Sequence, residues 1–292
     1  MKVLILGEKG FVGKTIYRKI KQSAIIEPLV LRELCKDGSE RVTRKNIGLV
    51  AGEIIGNKVK IIINATNGYA SKDNPPLKLI ERVIKTASDH ILIIHLGSSA
   101  EYGLRKVNEK IREDCNTTPD TEYGRLKDGE VKKLRSISRD GNCSVLVFRI
   151  FNIVGELEKQ NTFLGDIYRQ IYNAKEKLIR LNEIGHIRDF IGIDDIAETV
   201  YRTIVNYEAF RKEGFDIINL ASGKPISQTE IVEKIRETFQ GDYLWQYEVL
   251  NYERITYSVA DIEKLNNKGL ASEAQSMSYL LNKFFSKTKV KE

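Results

Sequence analysis

The sequence predicts an α/β protein: a doubly wound parallel sheet of the Rossmann type with a smaller, mostly helical C-terminal substrate domain. Three observations predict it. Five short runs of apolar, β-prone residues alternate with helical stretches over the first half of the chain. The runs are apolar on both faces, as strands covered by helices on each side must be. A glycine-spaced loop follows the first run and opens a helix, which is the local signature of a dinucleotide cradle.

Taken in order, Val3–Leu6, Leu29–Leu31, Ile61–Ile63, Ile91–Leu96 and Val145–Ile150 read as buried parallel strands. The segment Ser39–Lys58 shows no clear period. Beyond Gly155 helices predominate, at Phe163–Ala174, from Asp194, and near Ser227–Phe239, Asp261–Asn267 and Ser272–Phe285, with short strands at Leu178–Leu181 and Asp216–Leu220. Ser227-Gln228-Thr229-Glu230 has the spacing of a capping box and starts a helix. Residues 1–156 are therefore expected to form a dinucleotide-binding domain and 157–292 a substrate domain, with 190–220 returning to the first.

Composition narrows the class. The chain has 292 residues, 41% hydrophobic and 30% charged, enough for one large core or two joined ones. Its apolar runs are too short to cross a bilayer or to serve as a secretory signal, so a cytoplasmic location and no membrane partner are expected. Cys35, Cys115 and Cys143, with His90, His95 and His186, give neither a disulfide framework nor a metal-ligand spacing. No metal is expected. The net charge of +7 comes from Lys and Arg interspersed with Asp and Glu and without a nucleic-acid-binding motif. A few of those cations suffice for an anionic small molecule.

Gly7, Gly10 and Gly13 divide the work of the loop: a sharp turn, close approach of backbone to a diphosphate, and close helix–strand packing, with Phe11 and Val12 between them. A residue at the end of strand two then reads the adenosine ribose. Arg32 stands there and suits the 2′-phosphate of NADP(H), whereas Glu33, one place on, would suit NAD(H).

The strand Ile91–Leu96 runs into Gly97-Ser98-Ser99, and Tyr123-Gly124-Arg125-Leu126-Lys127 heads a later helix. Residues four apart share a helical face. A lysine ammonium beside a phenol lowers the phenol's pKa, making Tyr123 a proton donor to a developing alkoxide, and Ser98 or Ser99 supplies a second hydrogen bond to the same oxygen.

In this order the loop and the Ser/Tyr/Lys set resemble an extended short-chain dehydrogenase/reductase, the NAD-dependent epimerase/dehydratase family acting on nucleotide-diphospho sugars. Arg149-Ile150-Phe151-Asn152-Ile153-Val154-Gly155, Gly185–Asp195 and Asn219-Leu220-Ala221-Ser222-Gly223 resemble the family's later blocks. The resemblance implies that Ser98, Tyr123 and Lys127 are catalytic and that Ala65 and Thr66 line the cofactor. It also implies that Ser99, Asn152 and Arg188 contact substrate, that Asp195 supports docking of the second domain, and that the protein is a homodimer.

Dehydratases of the family carry an acidic pair directly after the catalytic hydroxyl, where this chain has Ser99 and Ala100. The block Leu96-Gly97-Ser98-Ser99 and the fragment Leu29-Val30-Leu31-Arg32 resemble GDP-fucose synthase, and the chain as a whole is similar to reductases of that and the CDP-abequose-synthase type, but the epimerising cysteine of the former falls at Ala100. The expectation is NADPH-dependent reduction of the C4 keto group of a nucleotide-diphospho-4-keto-6-deoxyhexose. An NAD-dependent 4-epimerase and a non-catalytic dinucleotide-binding module are the alternatives.

Overall fold

The structure, a computed structural model, describes residues 1–35, 41–66, 74–106, 108–140, 142–155, 161–173, 177–238 and 243–285. The first half runs β1 (Lys2–Leu6), α1 (Phe11–Lys21), β2 (Glu27–Val30), α2 (Leu31–Leu34), α3 (Ile47–Gly56), β3 (Ile61–Asn64), α4 (Pro75–Thr86), β4 (Ile91–Ser98), α5 (Glu122–Asp140) and β5 (Cys143–Ile150). There follow β6 (Asn152–Val154), α6 (Phe163–Asn173), β7 (Leu178–Arg180), β8 (Ile187–Gly192), α7 (Ile193–Val205), α8 (Tyr207–Phe210) and β9 (Phe215–Leu220). The chain ends with β10 (Pro225–Ser227), α9 (Gln228–Thr238), β11 (Leu244–Gln246), β12 (Tyr257–Ser258), α10 (Glu263–Asn267) and α11 (Met277–Phe285). The expected domain boundary at 156/157 lies outside the described residues, as do Ser39 and Glu40 of the illegible segment, half of which is α3.

Six parallel strands form the main sheet in the order β2-β1-β3-β4-β5-β9. Successive side chains alternate between two buried faces. Leu4, Leu6, Ile62, Ile93 and Val147 join the core under α3, α4 and α5, while Val3, Ile5, Ile63, Ile94 and Phe148 join the core that includes Ile16 of α1 and Ile196 of α7. Near-continuous apolar strands are what two covered faces require. The order reverses at β1, whose neighbours are β2 and β3, so a crevice opens beyond the carboxyl ends of β1 and β3.

Strand two lies earlier than its apolar run suggests. The Glu33 carboxylate accepts from the Val30 N–H at 3.1 Å, so the chain turns into α2 at Leu31 and takes Arg32 off the strand. The Ser227 box forms as its spacing demands, with Glu230 N–H donating to Ser227 Oγ at 3.1 Å and Ser227 N–H to Glu230 Oε2 at 2.8 Å.

The C-terminal region holds a helical core of α6, α9 and α11 around Ile167, Ile231 and Phe285, but it also rests on a second sheet absent from the sequence reading. There β8 pairs antiparallel with β10 and parallel with both β12 and β6. Its strands are two to six residues long and pair positions far apart in the chain, such as Arg188 with Ser258. No local period reveals such pairing. Among the described residues, no helix is long and apolar enough to cross a membrane.

Candidate active site

The glycine loop is shaped by close backbone approach. Gly7 has φ +91, and a Cβ there would lie 2.8 Å from the Ala65 carbonyl oxygen; a Cβ on Gly13 would lie 2.1 Å from the Gly7 carbonyl oxygen. Gly10 N–H donates to Gly7 O at 2.9 Å, and Gly10 caps α1 without any side chain over the helix end. The first N–H groups of α1 thus face open space at the positive end of the helix dipole, a ready anion site. A cavity of about 700 Å³ lies over them. Gly7, Gly10, Phe11, Val12, Ala65 and Thr66 line it, as the sequence leads one to expect, while Gly13 is buried beneath. The size, the glycine cradle and the uncapped helix fit a dinucleotide diphosphate.

Arg32 departs from expectation. It is exposed on α2 and does not line this cavity; the described arginine that does is Arg41, beside Val42 and Thr43. Glu33, the other candidate, is engaged at Val30. Arg41 sits in the segment without a period, so no sequence signal marked it.

The second cavity, about 350 Å³, is lined by Ser98, Ser99, Tyr123, Asn152 and Arg188, five residues drawn from four separate stretches of chain. Strand β6 stands between the cavities, Asn152 on one and Ile153 on the other. Ser98 ends β4, and its Oγ accepts from Ala100 N–H at 3.2 Å. Its own N–H donates to the Glu101 carboxylate at 2.8 Å, and that carboxylate, fully buried, pairs with Arg149 Nε at 2.7 Å. Burial pushes the Glu101 carboxyl up and the arginine opposes it. Tyr123 opens α5 and is 45% exposed. Beside it, a Cβ on Gly124 would lie 2.4 Å from the Ala100 carbonyl oxygen, so only glycine lets the start of α5 lie against the Ser98 turn.

Lys127 does not line the substrate cavity. It is 2% exposed, and its Nζ donates to Thr66 O at 3.0 Å, Leu96 O at 3.1 Å and Glu130 Oε2 at 3.0 Å. The ammonium therefore sits between the ends of β3 and β4, at the edge of the dinucleotide cavity through Thr66.

Asn152 lies on a strand, not at a helix start, and its Nδ2 donates to Asp189 O at 2.8 Å. The Arg188 guanidinium donates to the carbonyls of Ile187 and Thr256 and to Thr256 Oγ1. It forms no ion pair among the described residues, and burial brings its pKa down to about 10. Asp189 is turned away, accepting from Ser222, Gly223 and Ala260. Asp195, on α7, faces Ser272 and the Gln275 N–H. Half-buried, with spare donors and no carboxylate partner among the described residues, this cation can take an anion from outside.

Known proteins resemble this chain in sequence and in fold. The chain is 24% identical over 259 residues to dTDP-6-deoxy-L-talose 4-dehydrogenase (NAD(P)(+)) of Kitasatospora kifunensis, covering 81% of this chain and 78% of that protein. It is 22% identical over 294 residues to CDP-abequose synthase of Salmonella typhimurium, covering 91% and 92%. The fold is that of RMD from Pseudomonas aeruginosa, solved with NADPH, at a TM-score of 0.79 and 16% identity over 98% of this chain and 96% of that one. The profile of the NAD dependent epimerase/dehydratase family matches residues 3–221, from the first strand through the Asn219-Leu220-Ala221 block, and the chain belongs to that family.

Proposed function

We propose that this protein reduces the C4 keto group of a nucleotide-diphospho-4-keto-6-deoxyhexose at the expense of NADPH. The observation that carries the reading is the second cavity, which brings the Tyr123 hydroxyl, the Ser98 turn and the anion-seeking Arg188 together beside the glycine cradle. The similarity to a 4-dehydrogenase of a dTDP-6-deoxy sugar supports the site of reaction. Ala100 in place of an acid, and Ser99 before it, leave no general acid/base pair for elimination of water.

Gly7, Gly10 and the start of α1 would hold the dinucleotide, whose nicotinamide supplies the hydride. Tyr123 gives the proton to the C4 oxygen, and Ser98, held by the Glu101–Arg149 pair, donates a hydrogen bond to the same oxygen. Lys127, at the edge of the dinucleotide cavity through Thr66, would hold the nicotinamide ribose. Arg188 and Asn152 take the sugar nucleotide's diphosphate. Arg41 takes over from Arg32 the role of reading a 2′-phosphate, since it is the described arginine on the β2 side of the cavity.

The test follows NADPH and NADH oxidation with a panel of nucleotide-linked 4-keto-6-deoxy sugars. The expected result is stoichiometric NADPH oxidation with one member, abolished in Tyr123→Phe. Interconversion of intact sugar epimers without net cofactor consumption would replace the reductase by a 4-epimerase, and near-wild-type turnover by Tyr123→Phe would remove Tyr123 as proton donor.

A further inference from the structure

Behind the candidate site lies a ring of buried polar groups that proton donation by Tyr123 does not itself require. The backbone N–H and the hydroxyl of Thr66 both donate to Asn64 Oδ1, at 3.3 and 2.7 Å. A backbone N–H can only donate, so the oxygen of Asn64 faces Thr66 and its amide nitrogen faces His95 Nδ1, at 3.1 Å. Nδ1 therefore accepts, and the proton of neutral His95 sits on Nε2. Burial, reinforced by the Lys127 charge, keeps the ring neutral, its pKa well below the usual histidine range.

His95 Nε2 faces Glu130 Oε2 at 3.5 Å without forming a hydrogen bond. Glu130, 4% exposed, accepts from Lys127 on Oε2 and from Asn74 Nδ2 on Oε1 at 2.7 Å. Lys127 closes the ring by donating to Thr66 O, the residue from which it started.

An ammonium has three donors, and all three of Lys127's are spent on Glu130, Thr66 O and Leu96 O. Reaching a ribose requires one to be exchanged. The carbonyl of Thr66, part-buried on a cavity-lining residue, is the one that can be given up to a ligand. Glu130 is enclosed, carries the opposite charge, and cannot be left without its cation cheaply.

We propose that Glu130 is the positioning residue of Lys127: a buried carboxylate, pinned by Asn74 and backed by His95, about which the ammonium pivots from Thr66 to the ribose of a nicotinamide dinucleotide. The proposal rests on Lys127 reaching that ribose.

A double-mutant cycle on dinucleotide binding tests it without any sugar substrate. NADPH is titrated calorimetrically into the wild type, Glu130→Gln, Lys127→Met and the double variant. Glu130→Gln, isosteric and uncharged, is expected to weaken binding about 10-fold, the value of a charge-assisted hydrogen bond. In the Lys127→Met background the same change alters Kd less than about twofold, because Glu130 has nothing left to position. In turnover, the KM for NADPH rises in Glu130→Gln while the KM for the sugar nucleotide stays put, a split that general loosening of the fold does not produce.

Lys127→Met binding NADPH as tightly as the wild type would overturn the ribose contact and the proposal with it. A weakened Lys127→Met beside an unaffected Glu130→Gln, or single effects that multiply in the double variant, would overturn the role of Glu130 alone. Should Glu130→Gln fail to fold, Asn74→Ala frees the same carboxylate from its partly exposed side. It is expected to weaken binding about threefold, an effect again lost with Lys127→Met; persistence of the effect there overturns the proposal.

Discussion

Replacing Gly124 by alanine should disable catalysis while sparing the dinucleotide site. The added Cβ would lie 2.4 Å from the Ala100 carbonyl oxygen and 3.0 Å from Pro119 Cβ, where ordinary contact begins at 3.4 Å. The first of these is backbone and cannot swing aside, so the start of α5 and the Ser98 turn must separate by about 1 Å. Alanine gains on glycine in helix propensity by about 1 kcal/mol, and the overpacking costs about 1–3 kcal/mol, so the fold survives. Catalysis does not tolerate the same shift, because misplacing a reacting group by about 1 Å costs on the order of 100-fold. Steady-state NADPH oxidation with the 4-keto sugar is expected to show kcat lower by about 30- to 100-fold. Calorimetric binding of NADPH should stay within about twofold and the unfolding midpoint within a few degrees. An unchanged kcat would refute the reasoning that Tyr123 must lie against the Ser98 turn. Equal losses in dinucleotide binding and turnover would refute the separation of the two sites.

Three further outcomes follow from the same geometry. Arg188→Met keeps the apolar stem but removes the guanidinium and its spare donors, and should raise the KM for the sugar nucleotide about 10- to 100-fold with NADPH affinity unchanged, as initial rates will show. Arg41→Ala should cut the NADPH-over-NADH preference in kcat/KM by about 10-fold or more, while Arg32→Ala leaves it within about twofold; the reverse ranking would return the selector role to Arg32. His95 predicts an acid limb in stability. Its folded pKa is depressed, so its contribution is intact above the unfolded value near 6.5 and is lost as the pH falls below it, because the unfolded chain takes up a proton that the buried ring refuses. Denaturant titrations of wild type and His95→Gln should diverge by about 1.4 kcal/mol in pH sensitivity between pH 7.5 and 5.5; parallel profiles would mean that the ring titrates normally.

The main sheet and its cradle could be read from the chain because both are written locally. A buried parallel strand is a continuous apolar run such as Ile61–Ile63, and Gly10 and Gly13 each answer a backbone contact within their own turn. Ser98, Tyr123 and Lys127 stand out as candidates for a similar reason, since their residue types and order are tied to strand and helix ends. Tertiary structure decided what depends on partners distant in sequence. The small sheet that presents Asn152 and Arg188 pairs strands too short to show a period. Arg41 rather than Arg32 reaches the cavity because Glu33 caps Val30 and ends the strand early. Lys127, read from its spacing as sharing a helix face with Tyr123, has its ammonium bound by Glu130 and two carbonyls. Sequence spacing places a side chain on a face of its helix. Where its charge goes is settled by which buried groups, from other strands, must share its hydrogen bonds.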